Sequence, residues 1–282
     1  MGRVSEKRMV LVRKTSLNQL PVIAVVVLGV FCAAALFPQF FASEGPFAED
    51  VTRRLQPPSW EHPFGTDELG RDLLSRVVHG TRTTLGTSLL ALAIASAIAV
   101  SVGIVAGYLR SVTDRVLMLF IDVLLALPTL LVSLLIIFAL GAGTVNLALA
   151  VGLASVPPFA RVTRAEVLRV SAEPFVEAAR ANGVNPIRIL VRHVLPHATR
   201  PVIALATLEL ASIVLAVSVL SFLGYGTTPP NPEWGNLISE GRGYFSTAWW
   251  LTGLPGAVLV AFVLALHRLG RSLTDKQEVW SA

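Results

Sequence analysis

The chain has 282 residues, of which 54% are hydrophobic and 15% are charged, and its formal net charge is +5. Its mean hydropathy is +0.68. A water-soluble domain of this length exposes far more charge, so the composition excludes an ordinary soluble protein and indicates a membrane protein. The basic residues are spread over several segments without interleaved aromatic residues, which argues against nucleic-acid binding.

Six continuous apolar segments are each near the length that a helix needs to cross a bilayer, about 20 residues. They lie at residues 20–41, 85–108, 115–140, 142–160, 201–224 and 249–267. None shows the alternation of apolar and polar residues that is typical of barrel strands, so we predict transmembrane helices. The first segment is long for a signal peptide and lacks a clear cleavage site, so we expect it to be retained.

Lysine and arginine predict the orientation of these spans. With the N-terminus inside, the inner segments are 1–19, 109–115, 161–200 and 268–282, and they hold 17 of the 23 basic residues. This distribution satisfies the positive-inside rule. We therefore predict an all-α polytopic membrane protein with six transmembrane helices and with both termini in the cytoplasm.

The outer segment 42–84 follows the first span and contains seven acidic and five basic residues. Thr66 is suited to cap a helix that begins at Asp67 and Glu68, and we expect this helix to lie at the outer membrane interface. The second outer loop, 225–248, is rich in proline, which predicts a rigid, extended shape.

Small residues and prolines within the spans predict where helices pack and bend. Gly103 and Gly107 form a small-xxx-small pair in the second span, with Ala93 and Ala97 on a similar stripe, and we expect helix packing there. Pro128 is expected to kink the third span.

Two acidic residues lie within the spans, where a charge is costly unless it faces a cavity or a partner. Asp122 is close to the inner edge, and we expect it to pair with Arg115 or Arg110. Glu209, in the fifth span, is the better candidate for lining a pathway, and a structural role for it stays equally open.

The inner loop 161–200 contains the signals for two short helices. Ser171 is suited to cap the first helix and Gly183 to end it in a left-handed conformation. Asn185 is suited to cap the second, with Pro186 at its first position, and this helix should stop at Pro196. By the residues alone, a surface for a driving partner and an ordinary amphipathic helix pair are equally open interpretations.

No pattern in the chain indicates catalysis or metal binding. A Walker-type glycine loop, a nucleophile elbow and a CxxC pair are all missing from the sequence, and Cys32 is the single cysteine. His193 and His197 have helical ligand spacing but no neighbouring cysteine or carboxylate, so we expect them to be structural. We predict no catalytic residue, no metal site and no cofactor bound by this chain.

The inner loop resembles the coupling loop of ABC importer permeases. The residues that carry this resemblance are Glu177, Ala178, Ala179, Gly183, Leu195 and Pro196. More narrowly, the chain resembles the dipeptide/oligopeptide/nickel permease family, with further matching stretches at 62–72, 192–196, 220–224, 232–236 and 253–256. The resemblance covers residues 15–275, and the Gly65-Thr66-Asp67 segment is similar to the C-type member of the permease pair.

The resemblance implies a translocation subunit of the prokaryotic cytoplasmic membrane that works with other chains. It implies a second homologous permease, two cytosolic ATPases that bind ATP and magnesium, and an extracytoplasmic substrate-binding protein. The helix that ends at Gly183 would sit in a groove of one ATPase. The implied layout is a cytoplasmic segment 1–19, a first span with external segment 20–84, a core domain 85–275 with coupling loop 161–200, and a tail 276–282.

On this resemblance, the outer segments suit docking of the binding protein. The candidate docking residues are Asp67, Glu68, Asp72, Pro232, Glu233 and Trp234. The alternative is plain loop structure, or anchoring at the membrane interface by Trp234, Trp249 and Trp250.

The resemblance also places an acid just before the Leu220–Gly224 stretch, where this chain has Val217, Ser218 and Val219. Glu209 lies about two turns earlier, and whether it stands on the same helix face is an open question. The role of the usual acid is therefore not carried over to this chain.

The expected substrate is a short peptide. Nickel or a metal chelate is the alternative within the family. An ion-coupled secondary transporter and a membrane scaffold are less favoured classes.

Overall fold

The computed structural model describes residues 22–42 and 44–281, without the side chains of residues 199–200 and 274–281. The predicted cytoplasmic segment 1–19 lies outside the described residues. The helices are α1 Val22–Leu36, α2 Leu73–Leu109, α3 Val112–Leu125, α4 Thr129–Leu140, α5 Thr144–Ala154, α6 Val156–Ser171, α7 Pro174–Ala181, α8 Pro186–Ile189, α9 Leu195–Phe222, α10 Trp234–Gly241 and α11 Trp250–Ser281. Short 3-10 helices lie at Pro38–Phe40, Val51–Arg53 and Arg242–Tyr244, and a π-helical turn at Leu190–Val194.

The predicted all-α membrane fold is confirmed. Among the described residues, three helical stretches are long and apolar enough to cross a membrane, namely Leu73–Leu109, Pro201–Phe222 and Trp250–Leu273. Two bent pairs, α3 with α4 and α5 with α6, raise the number of candidate spans to five if each pair is one span. The count of six spans and the cytoplasmic placement of the termini stay predictions.

The predicted interfacial helix beginning at Asp67 is wrong, because the helix begins only after Asp72. The Asp72 carboxylate accepts the backbone N–H of Ser75 at 2.7 Å, and α2 then runs for 37 residues through the predicted second span. The preceding residues form a turn in which the Asp67 carboxylate accepts the backbone N–H groups of Leu69 and Arg71. These side-chain hydrogen bonds satisfy the backbone without a helix.

Proline positions explain the two bent pairs. Pro128 stands before the first residue of α4, and α3 and α4 meet there at 95°. A proline lacks the N–H that would continue the α3 hydrogen-bond ladder, so the predicted kink is confirmed. Pro157 and Pro158 follow the 44° bend between α5 and α6 and lie in the first turn of α6, where prolines are tolerated.

Gly103 and Gly107 bring α2 close to α6, as predicted. A Cβ atom on Gly103 would lie 2.6 Å from the Thr163 Cβ, and one on Gly107 would lie 2.9 Å from the Val167 Cγ1. Both distances are shorter than van der Waals contact, so only glycine fits this helix crossing.

The expected stripe through Ala93 and Ala97 is wrong, because both are exposed. The buried alanines in this part of α2 are displaced by two positions, and they are Ala91, Ala95 and Ala99. Spacing by four residues is shared by the exposed and the buried alanines. Only packing against α5 and α6 determines which of the two sets is buried.

Candidate functional site

The first helix of the coupling loop is α7, Pro174–Ala181, and it ends as predicted. Gly183 follows it with φ of +72°, a left-handed conformation that glycine adopts without a steric penalty. The predicted cap is wrong, because Ser171 is the last residue of α6 and its side chain is buried. Glu173 takes the N-cap position instead, without a side-chain hydrogen bond to the helix.

The second helix of the loop begins as predicted and ends differently. The Asn185 side chain accepts the backbone N–H of Ile187 at 2.9 Å, and Pro186 is the first helical residue. The helix does not stop at Pro196, because a π-helical turn at Leu190–Val194 leads directly into α9. Pro196 lies in the first turn of α9, so the coupling loop is helically continuous with a candidate membrane span.

A small apolar cluster anchors the loop to the rest of the fold. Val176, Ile189 and Val194 are each at most 1% exposed and pack with Val167 of α6. The Tyr108 hydroxyl at the end of α2 donates to the Pro186 carbonyl at 2.7 Å. These contacts fix α7 and α8 against two long helices, so the loop is a rigid element.

On the opposite side of the loop, most of the coupling-signature residues are exposed on the protein surface. Glu177, Ala178, Gly183 and Pro196 are exposed, whereas Ala179 and Leu195 are half-buried. Ala178 itself is exposed and has a short side chain, which leaves room for the close approach of a partner at this position.

Two ion pairs join α3 to α6, the helix that leads into the coupling loop. Asp122 pairs with Arg161 at 2.5 Å, and the Asp114 carboxylate receives Nε and Nη2 of Arg164 at 2.5 and 2.7 Å. The expected pairing of Asp122 with Arg115 is therefore wrong. Seven residues along one helix separate two Cα atoms by about 10 Å, and the neighbouring helix offers a nearer arginine.

Glu209 lies in a cavity of about 360 Å³ between α4, α6 and α9. The cavity is lined by Thr129, Leu130, Ser155, Pro158, Glu209, Ser212, Leu215, Ala216 and Val219. Within the part of the chain that the structure describes, the Glu209 carboxylate has no hydrogen-bond or ion-pair partner. Sequence reasoning missed the three hydroxyl residues around it, although Ser212 stands at helical spacing from Glu209.

Glu209 shares a face of α9 with one of the three residues that stand where the family resemblance places an acid. Val219 lines the same cavity as Glu209. Val217 is instead fully buried in a cluster with Leu147 and Val151 of α5, and eight residues at 100° each place it about 80° from Glu209 around α9.

The outer segments 44–72 and 225–249, which we call the outer layer, are held by buried charges. Arg76 is 1% exposed, and its Nη1 donates to Asp67 at 2.8 Å and to Glu240 at 2.7 Å. Asp67 also receives Arg71 Nε at 2.6 Å. Sequence reasoning missed Arg76, because its two partners, Asp67 and Glu240, lie on two segments far apart in the sequence.

Most of the residues proposed for docking are inside this layer. Asp67, Asp72, Pro232, Glu233 and Trp234 are buried, and only Glu68 is partly exposed. The prediction that these five side chains contact a delivery protein, or that Trp234 anchors in the interface, does not fit the structure. Buried carboxylates were mistaken for surface charges because the sequence does not show their partners.

Trp234 and Glu233, at the N-terminal end of α10, pack against α2. The Trp234 indole donates to the Val77 carbonyl at 3.1 Å, and its ring packs edge-on against Phe31 and Phe262. Glu233 accepts the Thr84 hydroxyl at 3.0 Å and the Asn236 backbone N–H at 3.2 Å. Burial raises the pKa of the Glu233 carboxyl, and the hydrogen bonds it accepts partly offset that effect.

The bundle of long apolar helices with an exposed, anchored helical loop is that of a multi-pass membrane permease. The chain belongs to the family described as binding-protein-dependent transport system inner membrane component, whose profile matches residues 99–272. The resemblance to the ABC importer permeases of the dipeptide/oligopeptide/nickel type is thereby confirmed, and the chain is a translocation subunit that works with other ABC components.

Several curated relatives cover most of the chain. The di/tripeptide transport system permease protein DppC of Pseudomonas aeruginosa strain UCBPP-PA14 is 38% identical over 87% of this chain and 82% of its own length. The dipeptide transport system permease protein DppC of Alkalihalophilus pseudofirmus is 33% identical over 92% of this chain and 85% of its own.

Solved structures share the fold. The MetNI methionine ABC transporter in an inward-facing conformation has a chain that matches 71% of this one and 95% of its own length, with a TM-score of 0.59 and 18% identity. An amino acid ABC transporter chain matches with a TM-score of 0.56 and 17% identity, over 72% of this chain and 94% of its own.

Proposed function

We propose that this chain is the C-type permease subunit of an ATP-driven importer of short peptides in a prokaryotic cytoplasmic membrane. The proposal of a peptide substrate is supported by relatives named as dipeptide and di/tripeptide permeases at 33–38% identity. Its proposed partners are a second homologous permease, two cytosolic ATPases that hold ATP and magnesium, and an extracytoplasmic binding protein.

The observation that carries the proposal is the form of the coupling loop. Its signature residues Glu177, Ala178 and Gly183 are exposed, while Val176, Ile189 and Val194 are buried against α6. A partner that pushes on α7 therefore pushes on a rigid element, and the motion passes to two membrane helices. It reaches α9 through the continuous helical path and α3 through the two ion pairs of α6.

This arrangement supports a two-state mechanism without chemistry in this chain. ATP-driven closure of the ATPases would favour one of two arrangements of the membrane helices, and release of the products would favour the other. The role of the coupling residues is to fit the ATPase groove. Glu209 is the proposed pathway residue, and Glu68 is the one predicted docking residue that is still available to a binding protein.

Ala178 is the sharpest position for a test of the coupling loop. Gly183 is less suited, because any other residue there is strained at φ of +72°. Ala178→Arg would place a large charge at the proposed contact without disturbing the buried side. Val112→Arg, at the exposed first residue of α3, is the matched control.

The measurement is uptake of a radiolabelled dipeptide by the complete transporter in proteoliposomes, together with ATP hydrolysis and co-purification of the ATPases. We expect Ala178→Arg to abolish uptake and to reduce ATPase recovery, and Val112→Arg to leave both unchanged. Normal coupled uptake in Ala178→Arg would contradict the proposed coupling site. Uptake of nickel but of no dipeptide by the wild-type complex would contradict the proposed substrate.

A further inference from the structure

The Glu209 cavity lies where both bent pairs of helices break. Thr129 and Leu130 open α4 directly after the 95° bend, and Ser155 stands between α5 and α6 at the 44° bend. Glu209 is eight residues into the apolar stretch Pro201–Phe222, about 12 Å from its start, which is near the middle of that stretch. In secondary transporters, broken helices that line a cavity near the middle of the membrane form the substrate site, and the same construction is present here.

The polar groups of the cavity are free to bind a ligand. Elsewhere in the helices many hydroxyls donate to the carbonyl four residues back, as Ser88 and Ser133 do. Thr129, Ser155 and Ser212 make no side-chain hydrogen bond within the described part of the chain. Together with the unpaired Glu209, they are four polar side chains that converge on one space.

The charge balance of the cavity favours a cation. The N-terminal end of α4 contributes a partial positive charge of about half an elementary charge. The Glu209 carboxylate exceeds that charge, so a net negative charge is left in a mainly apolar environment. An uncompensated carboxylate at this depth is costly, and a cationic ligand would remove the cost.

We propose that this cavity binds the protonated amino group of the transported peptide. Glu209 is the counter-ion, and the Ser155 and Ser212 hydroxyls accept the remaining N–H groups of the ammonium. An ammonium has three donors and no acceptor, which matches one carboxylate and two hydroxyls. This inference rests on the proposed peptide import and names the part of the peptide that the permease itself recognises.

The size and the lining of the cavity agree with this ligand. A cavity of about 360 Å³ is at the small end of ligand pockets, which range from roughly 300 to 1,000 Å³. Leu130, Pro158 and Leu215 give it apolar walls that suit the side chain next to the amino group. Such a site discriminates by charge and tolerates different side chains.

The test compares a dipeptide with an analogue that lacks the ammonium. The probes are Ala-Phe and lactoyl-phenylalanine, in which a hydroxyl replaces the amino group. Maximal uptake rates are measured with the complete transporter in proteoliposomes, with the binding protein saturated by each probe. Because the binding protein is saturated with each probe, its different affinities for the two probes do not affect the ratio of the two uptake rates.

We expect the wild type to transport Ala-Phe about tenfold faster than the analogue, as one charge-assisted hydrogen bond implies. Glu209→Gln should reduce this ratio to about one, chiefly through slower Ala-Phe uptake. Ser212→Ala keeps the charge and should lower the ratio about threefold. Glu49→Gln, an exposed acid of the outer layer without an ion pair in the described residues, should keep the wild-type ratio.

Two results would overturn the inference. An unchanged ratio in Glu209→Gln, including equal slowing of both probes, would show that Glu209 does not recognise the amino group. If Glu209→Gln fails to assemble, an unchanged ratio in Ser212→Ala overturns the inference instead. Absence of Ala-Phe uptake in the wild type would contradict the proposed function itself, so the two failures are distinguishable.

Discussion

Arg76 of α2 donates a hydrogen bond to Glu240 of α10, with 2.7 Å between its Nη1 and the Glu240 Oε2, although the two residues are 164 positions apart. The same nitrogen donates to Asp67 at 2.8 Å. One buried guanidinium thus joins the segment before α2, α2 itself and the short helix α10. Its Nε and Nη2 are buried without a partner in the described part of the chain, so the contacts of Nη1 with Asp67 and Glu240 are those that offset the burial.

Loss of Arg76 should destabilise the outer layer. Arg76→Ala leaves two carboxylates without this partner, and breaking a buried ion pair costs roughly 3–5 kcal/mol. We expect a clearly lower melting temperature for the purified protein in detergent, and a smaller decrease for Glu240→Gln. Arg82→Ala, an exposed arginine of the same helix, is the control. A melting temperature for Arg76→Ala equal to that of the control would show that the pair is not stabilising.

The contact of α10 with α9 depends on Gly235. A Cβ atom there would lie 2.1 Å from the Ser218 carbonyl oxygen, which belongs to the backbone and cannot move aside. We expect Gly235→Ala to lower the free energy of unfolding by about 1–3 kcal/mol. Gly243→Ala, with no atom within 4 Å of its Cβ, should have little effect. The measurement is the thermal unfolding of both variants. Equal stability of Gly235→Ala and Gly243→Ala would show that α10 can shift to accommodate the added methyl group.

The crossing of α2 and α6 depends on Gly103. A leucine at this position would displace α6 and with it the coupling loop. Gly86 lies in the same helix with no atom within 4 Å of an added Cβ, so Gly86→Leu is the matched control. We expect Gly103→Leu to abolish membrane accumulation or uptake and Gly86→Leu to preserve both, as measured by immunoblot and dipeptide uptake. Normal uptake by Gly103→Leu would mean that the crossing is not required.

The Asp114–Arg164 pair should transmit motion from the coupling loop to α3. Arg164→Ala removes a bidentate contact, and we expect less uptake for each ATP that is hydrolysed. The exchange of charges, Asp114→Arg with Arg164→Asp, should restore part of the loss, with a coupling energy of about 0.5–3 kcal/mol between the sites. Arg169→Ala, which breaks pairs only with nearby Glu166 and Glu173, is the control. Additive effects of the two substitutions would exclude a direct role for the pair.

Glu233 should make stability depend on pH. Burial raises its pKa above the ordinary 4.5, so folding favours the protonated form. This contribution is fully present below the unfolded-state pKa and is lost as the pH rises through the folded-state pKa. Glu233→Gln cannot ionise, so we expect a higher melting temperature than the wild type at pH 8 and a smaller difference at pH 4.5. A constant difference at both pH values would contradict the raised pKa.

The local features of the fold could be predicted from the sequence. Continuous apolar runs located the membrane helices, Pro128 located the bend, and Gly183 located the end of the coupling helix. Each of these depends on the backbone preference or hydropathy of residues close together in the chain. The family was predicted from several short motifs that follow one another along the chain. The profile match over residues 99–272 confirmed it.

The contacts between distant segments were decided only by the tertiary structure. The sequence showed Asp67, Glu233 and Trp234 as charges and an aromatic residue in loops, and packing buried all three against α2 and its neighbours. Asp122 pairs with an arginine of α6, and Glu209 shares its cavity with Thr129 of α4 and with Ser155 between α5 and α6. Hydropathy and helical periodicity describe one helix at a time. Burial and ion pairing depend on which helices pack together, and the same sequence pattern fits several ways of packing two helices.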